Sequence, residues 1–411
     1  MSTNKDTPYS PGAYRGDSNE PLPRPKWRGH LNRGGQSSTH LAFGNYAELD
    51  SATEITLQLE CEKHRLQKQK KNAKKQEVYC DAKRWRFQKS RTVINLLSFF
   101  KTMSIVFSLI NWGMGAVYFS LEELGFIEYP TETAYLIATI LTPLMIVSAA
   151  AHMDGKKITH YIQISVFIIS SSLVIWATGN IWGDSLIHFS LWLGTVLYFI
   201  AAIGLDFLIW LYDTFSRHDG SEFNRAEGMV RFKPLFQSLF VAPFEEFDPV
   251  LTLLPWNYGI RGYTIMLHHR YTNNKVCLAD KMHSLGLDKA NTLAFWDSLQ
   301  RYMDVTQPLP DLPVLEQSRH LDPVTSAHDA RIKRNPRRWR DQALTGWKTS
   351  GEKKLNEQLQ HYPWQQQPCV IKSRLSEALT IEAWYRAQEA KGIQATPKAE
   401  DFTAPVDFEN G

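Results

Sequence analysis

Many residues in this chain can do chemistry, but few are spaced to do it together. His268 and His269 are adjacent in a β-rich run, so a strand turns them to opposite faces and denies them a shared metal ion. His320 and His328 fit no standard zinc spacing. Asp311, Glu316, Asp322 and Asp329 are acids that could share proton transfer, yet their spacing alone does not bring two of them together. Ser, His and Asp are all present, without a GxSxG turn and without a glycine-rich phosphate loop. Cys61, Cys80, Cys277 and Cys369 form no CxxC pair and are expected as free thiols. No catalytic residue, metal site or cofactor is expected.

Two charged residues stand out because their surroundings are apolar. Asp206 lies inside one long apolar run, and Lys101 sits at the edge of another. A charge within a bilayer is costly, roughly 2.5–3.5 kcal/mol at mid-depth. Both residues fall at a similar depth near the same end of their runs. A Lys101–Asp206 ion pair that pins two helices follows. The alternative has Lys101 snorkelling to headgroups and Asp206 reaching water or carrying a proton.

The elements that must position these residues divide the chain unevenly. Mean hydropathy over the 411 residues is −0.32, but the apolar residues concentrate between about 93 and 212. Four runs, at about 102–121, 133–153, 158–179 and 186–212, are each long enough to cross a ~30 Å hydrocarbon core. The expected fold class is a membrane α-helical protein, a four-helix transmembrane bundle, plus a cytoplasmic α+β domain. Residues 92–213 form the bundle in this reading. Asn111, Gly113, Gly115 and Ser170–Ser172 are small or polar positions suited to helix contact, and Pro143 could kink the second run.

Charge sets the orientation. From Lys63 to Arg91 there are twelve Lys or Arg against Glu77 and Asp81. No Lys or Arg occurs between Lys101 and Lys156, or between Lys157 and Arg217. The connection after the first run carries only Glu122, Glu123, Glu128 and Glu132. Basic residues stay on the cytoplasmic side, so both termini are expected inside. The opening MSTNKDTPYS has no apolar core, and no cleavable secretory signal is expected there.

Residues 1–50 are rich in Pro, Gly, Ser and Asn and read as a disordered tail. Residues 51–91 read as a basic juxtamembrane helical segment, with Trp85 and Phe87 at headgroup level and anionic lipid as partner. Residues 214–391 read as the cytoplasmic α+β domain. Strands are expected at 229–233 and 263–271, with a turn at Asn273–Asn274 and a helix capped by Asp288. The prolines of QPLPDLPVLE demand extended chain. Residues 392–411 read as a disordered tail. A net charge of +4 gives no global field for nucleic acid, and none is expected as partner. RIKRNPRRWRDQ is a second basic cluster, read as a solvated or lipid-facing surface or a contact for an acidic protein.

The string RYMDVTQPLPDLPVLEQSRHLDPVTSAHD, followed by RNPRRWRD, resembles a group of bacterial polytopic membrane proteins. They are encoded in type VI secretion and polymorphic-toxin gene neighbourhoods. The match covers Trp296, Pro308, Leu309, Pro310, Asp311, Pro313, Glu316, Arg319, Asp322, Pro323, Thr325, Trp339 and Arg340. It spans about residues 259–341 and the apolar block. The resemblance implies a bacterial inner-membrane protein whose cytoplasmic domain meets a protein partner, a toxin or a secretion component. It brings no catalytic residue with it. An accessory or immunity role in contact-dependent competition is the expected function. A membrane-anchored scaffold or signalling component is the alternative, and an effector or enzyme at the inner leaflet is a third reading.

Overall fold

The computed structural model describes residues 9–25, 39–69, 80–87, 92–123, 186–215, 218–234, 237–254, 262–279, 282 and 287–403. The chain divides into two compact units: 1–90 together with 218–411, and 91–217.

The first unit is built on an antiparallel meander. β3 (Arg84–Arg86), β4 (Glu222–Asn224), β5 (Met229–Phe232) and β6 (Phe240–Pro243) form one sheet in that order. A single 3-10 turn, Phe244–Glu246, leads into β7 (Phe247–Leu253) of a second sheet. There β7 pairs with β8 (Tyr263–His269), and β8 with β9 (Lys275–Cys277) across the Asn273–Asn274 turn. The alternation along these strands sends Val230, Phe232, Phe240, Phe247, Ile265 and Leu267 into a shared core. Rings from the two sheets meet there: Phe232 and Phe247 centroids lie 6.1 Å apart, Phe240 and Phe247 6.5 Å. Each such side chain contributes roughly 1.5–3 kcal/mol by leaving water.

The helix over Lys289–Met303 closes this core. Asp288 caps it, its carboxylate accepting from the Asn291 N–H. Its apolar face, Phe295, Trp296, Leu299, Tyr302 and Met303, is buried. Trp85 packs edge-on against Tyr302 at 5.2 Å, and Phe244 lies 5.9 Å from Trp296. The polar helices of the C-terminal third then wrap this body.

Several expectations need correction. The low apolar content of 1–50 suggested a disordered tail, yet Tyr14, Leu22, Leu41 and Phe43 are buried in the core. β1 (Leu22–Pro23) runs parallel to β10 (Leu375–Ser376), and β2 (Thr39–His40) extends the second sheet beside β7. A few large side chains and backbone pairing with distant residues order this segment, and neither leaves a local pattern. Trp85 and Phe87 are core residues rather than headgroup anchors, because β3 carries them into the first sheet. The Ala52–Gln69 helix (α1) precedes that strand and buries Ile55 and Leu59. At the other end, residues 392–403 are folded: Ala399 is buried and Phe402 stacks on Tyr385 at 5.0 Å.

The second unit contains α2 (Thr92–Glu123) and α3 (Leu186–Phe215) packed against each other. Ile105 and Ser108 of α2 and Phe199 and Ala202 of α3 are buried in the seam. The expected runs at 102–121 and 186–212 lie in these helices. Those at 133–153 and 158–179, with Pro143 and Ser170–Ser172, lie outside the described residues. The four-helix transmembrane bundle is not the fold found. The described chain holds two helices long and apolar enough to cross a membrane, beside three sheets. Hydropathy reads each apolar run alone, whereas strands of two to seven residues assembled from distant segments leave no contiguous mark in it.

The chain of the first unit is interrupted once. Residues 91–217 stand between β3 and β4, which are paired neighbours, Arg86 opposite Glu222. The Phe87 N–H donates to Ser221 O at 3.0 Å, and His218 Nε2 lies 2.8 Å from Phe87 O. The helical unit is therefore an insertion in the loop of a β-hairpin.

Candidate functional site

The residues singled out by sequence fall in three places. Within the helical unit, Lys101 Nζ lies 2.8 Å from Asp206 Oδ1, joining α2 to α3. Lys101 and Ile105 are one turn apart, so the ion pair continues the apolar seam.

Trp296 sits in the domain core, its indole N–H donating to Ala42 O at 2.8 Å. It anchors the N-terminal segment on the closing helix, which we label α4.

The remaining motif residues interlock within 308–340. Extended chain through Pro308 and Pro310 leads to Pro313, the first residue of a 3-10 turn at Pro313–Leu315. Asp322 caps α5 (Pro323–Arg331), accepting from Thr325 N at 2.9 Å, and Pro323 takes the first helical position, where no N–H is needed. Thr325 in turn accepts from the Leu309 N–H at 2.8 Å. Arg319 donates to the Leu309 and Pro310 carbonyls and forms a fork with Asp329 at 2.7 and 2.8 Å. Glu316 accepts from the backbone N–H groups of Trp339 and Arg340, at 2.7 and 3.0 Å. Asp311 receives Arg334 at 2.6 Å and the Trp339 indole at 2.9 Å. Burial alone raises the Asp311 pKa, but the Arg334 bonds and the Arg338 charge outweigh it and hold it below the usual carboxylate range.

Every acid of this motif is saturated by arginine or backbone donors. The cluster is a clamp that shapes the 331–340 turn, its acids committed to those donors. Asp322 also meets Arg225, a fully buried guanidinium that donates to the carbonyls of Arg301, Tyr302, Asp304 and Gln307. Arg225 thus satisfies the open C-terminal end of α4, a task backbone carbonyls require of something.

Sequence reasoning missed a second buried cluster. Glu246 accepts from His269 Nε2 at 3.0 Å, Trp384 Nε1 at 2.8 Å, Tyr385 OH at 2.5 Å and Gln388 Nε2 at 3.0 Å. Burial pushes its pKa up, and these donors, His269 foremost, pull it below its ordinary value. His269 Nδ1 faces Thr272 Oγ1 at 2.9 Å. The order hydroxyl, imidazole, carboxylate is that of a nucleophile relay. Here it is closed: His269 is fully buried, and Thr272 also accepts from both Asn274 nitrogens. The cluster docks the Ile381–Ala390 helix on the turn between the sheets. Two acids between phenylalanines in PFEEFD were the available signal.

As expected of a strand, His269 faces the core and His268 does not. Among the described residues no three His, Cys, Asp or Glu side chains are grouped to hold a metal. An open cleft of about 420 Å3 beside the start of α4 is lined by Ala290, Leu293, Leu359, Tyr362 and Trp364, with Lys289 the one charged residue among the described residues that line it.

No family model matches this chain, and neither a curated protein nor a solved structure shows significant similarity to it.

Proposed function

We propose that this is a bacterial inner-membrane protein whose inserted helices anchor a cytoplasmic interaction domain, and that it serves as an accessory or immunity protein in type VI or contact-dependent competition. The observation that carries the anchor is the outward face of α2 and α3. Leu96, Phe99, Phe100 and Phe107 of α2, and Leu197, Ile200, Phe207 and Trp210 of α3, are exposed. Only 11% of each apolar window is buried. A water-soluble protein rarely leaves so large an apolar surface open, and hydrocarbon is its natural solvent.

The discontinuous domain supports the orientation. The described residues before 88 and after 217 share one core, so both segments lie on one side of any membrane that takes the insertion. The lysine and arginine distribution makes that side the cytoplasm. A binding role rather than catalysis fits the saturated motif. Interbacterial competition, with a toxin or secretion component as partner, rests on the PLPD…DP-T…WRD resemblance alone.

Two measurements test this reading. The chain should stay in the membrane pellet at alkaline pH, with reporters at both termini active only inside; a periplasmic reporter at either end would overturn the orientation. Co-expression with toxins encoded beside it should protect the cell and yield a co-purifying complex. Failure of both protection and capture would sink the immunity role and leave the anchor standing.

A further inference from the structure

The motif clamp sorts the cations of 319–340 into two classes. Arg319 and Arg334 are buried and committed, to Asp329 and to Asp311. Arg331, Lys333, Arg337, Arg338 and Arg340 are exposed, against one exposed acid, Asp341. Arg337 and Arg338 are 62% and 55% exposed despite contacts with Asp341 and Asp311. Arg331 and Lys333 have no ion-pair partner among the described residues. The buried acids thus stabilise the turn from beneath while its positive charge points outward.

Two further features belong to the same segment. Leu321 and Ile332 are 61% and 54% exposed. Outside the helical unit, the only other large apolar side chain so open among the described residues is Leu253. Lys333 has a φ of +50°, the left-handed region that glycine or asparagine enters more cheaply. A lysine kept in that strained conformation points to a use for its charge.

We propose that the outer face of 321–340 binds the surface of an anionic bilayer, its cations engaging headgroups while Leu321 and Ile332 enter the interfacial layer. The proposal rests on the membrane reading above. Exposed apolar side chains interleaved with cations favour a bilayer over an acidic protein, since a purely electrostatic partner has no use for Leu321 and Ile332. One modest basic site suffices when the chain is already anchored, because a second signal adds to the first.

The test uses the full chain in lipid nanodiscs, neutral phosphatidylcholine against discs that include phosphatidylserine, followed by hydrogen exchange. Amides of 321–340 should be protected only in the anionic discs. Protection should fall in high salt and drop about fivefold for each charge removed in the series Arg331→Gln, Lys333→Gln and Arg337→Gln. These exposed substitutions touch no core contact, and the salt series on the unaltered chain is independent of them. Equal exchange in the two discs overturns the proposal. So does equal protection in neutral discs by inorganic phosphate, which marks a free-anion site, or by a poly-glutamate peptide, which marks an acidic protein. Loss of the chain from both kinds of disc defeats the membrane reading itself; unchanged protection of α2 and α3 shows that reading intact.

Discussion

Glu54 lies in the first turn of α1, buried, with one carboxylate oxygen accepting from Gln58 and the other without a hydrogen-bond partner among the described residues. Burial pushes its pKa up to about 7, opposed only by the Gln58 bond. A raised carboxyl favours folding while protonated. That contribution is complete below about pH 4.5 and is lost as pH rises through about 7. Glu54→Gln should therefore stabilise the protein by about 2 kcal/mol at pH 8 and change little at pH 4.5. Thermal melts at the two values check this, and an equal gain at both would rule out titration as the cause. Nothing in the sequence marked Glu54, because packing by residues far along the chain creates its burial. The Lys101–Asp206 contact is different: two apolar runs read for depth were enough to suggest it. Lys101→Met and Asp206→Asn should each destabilise the helical unit by about 1–3 kcal/mol. The double variant should lose at least about 1 kcal/mol less than their sum. Unfolding in detergent measures the cycle, and strict additivity would mean no direct interaction.

At the scale of elements, local pattern and long-range pairing had very different visibility. β5, the β8–β9 hairpin and α4 carry alternation, an asparagine turn and an aspartate cap, so their sequences announce them. β1, β2, β3 and β10 are two or three residues long, and their pairing comes from partners more than a hundred positions away. The PLPD motif could be seen as a motif, but its role could not, because its acids are satisfied by backbone N–H groups and arginines that only the folded turn assembles. The Ile381–Ala390 helix shows the same dependence. It docks through three side chains on one carboxylate, Glu246. Glu246→Gln leaves buried donors without a charged acceptor and places an NH2 among them. The expected cost is about 3 kcal/mol. Limited proteolysis should then cut the last residues of the chain before the sheets open; a cleavage pattern like that of the unaltered protein would show that the helix is held elsewhere.

At the scale of the whole molecule, the helical unit begins and ends in the loop of one β-hairpin. Replacing 91–217 with a Gly/Ser loop of about six residues should leave β3 and β4 paired and give a folded, water-soluble domain. Circular dichroism and gel filtration suffice to judge it. An aggregated or unfolded product would show that the domain depends on the helices for more than their connection. Apolar runs marked the stretch from 92 to 213 as a block, but no sequence pattern showed it to be an insertion, since the unity of the chain on either side lies in contacts such as Tyr9 with Asp322, 313 positions apart.

That interruption also sets a schedule for biogenesis. β3 emerges from the ribosome long before β4, and the partner of Leu22 lies beyond residue 370. At about 5–20 residues per second, the first 87 residues wait roughly 15–60 s for the rest of their domain. For much of that interval Phe43, Trp85 and Phe87 wait for partners such as Trp296, Tyr302 and Phe223, and on the membrane reading proposed above the apolar helices insert meanwhile. On that reading the nascent chain carries two kinds of sticky surface at once, core side chains awaiting later strands and helices that only a bilayer covers.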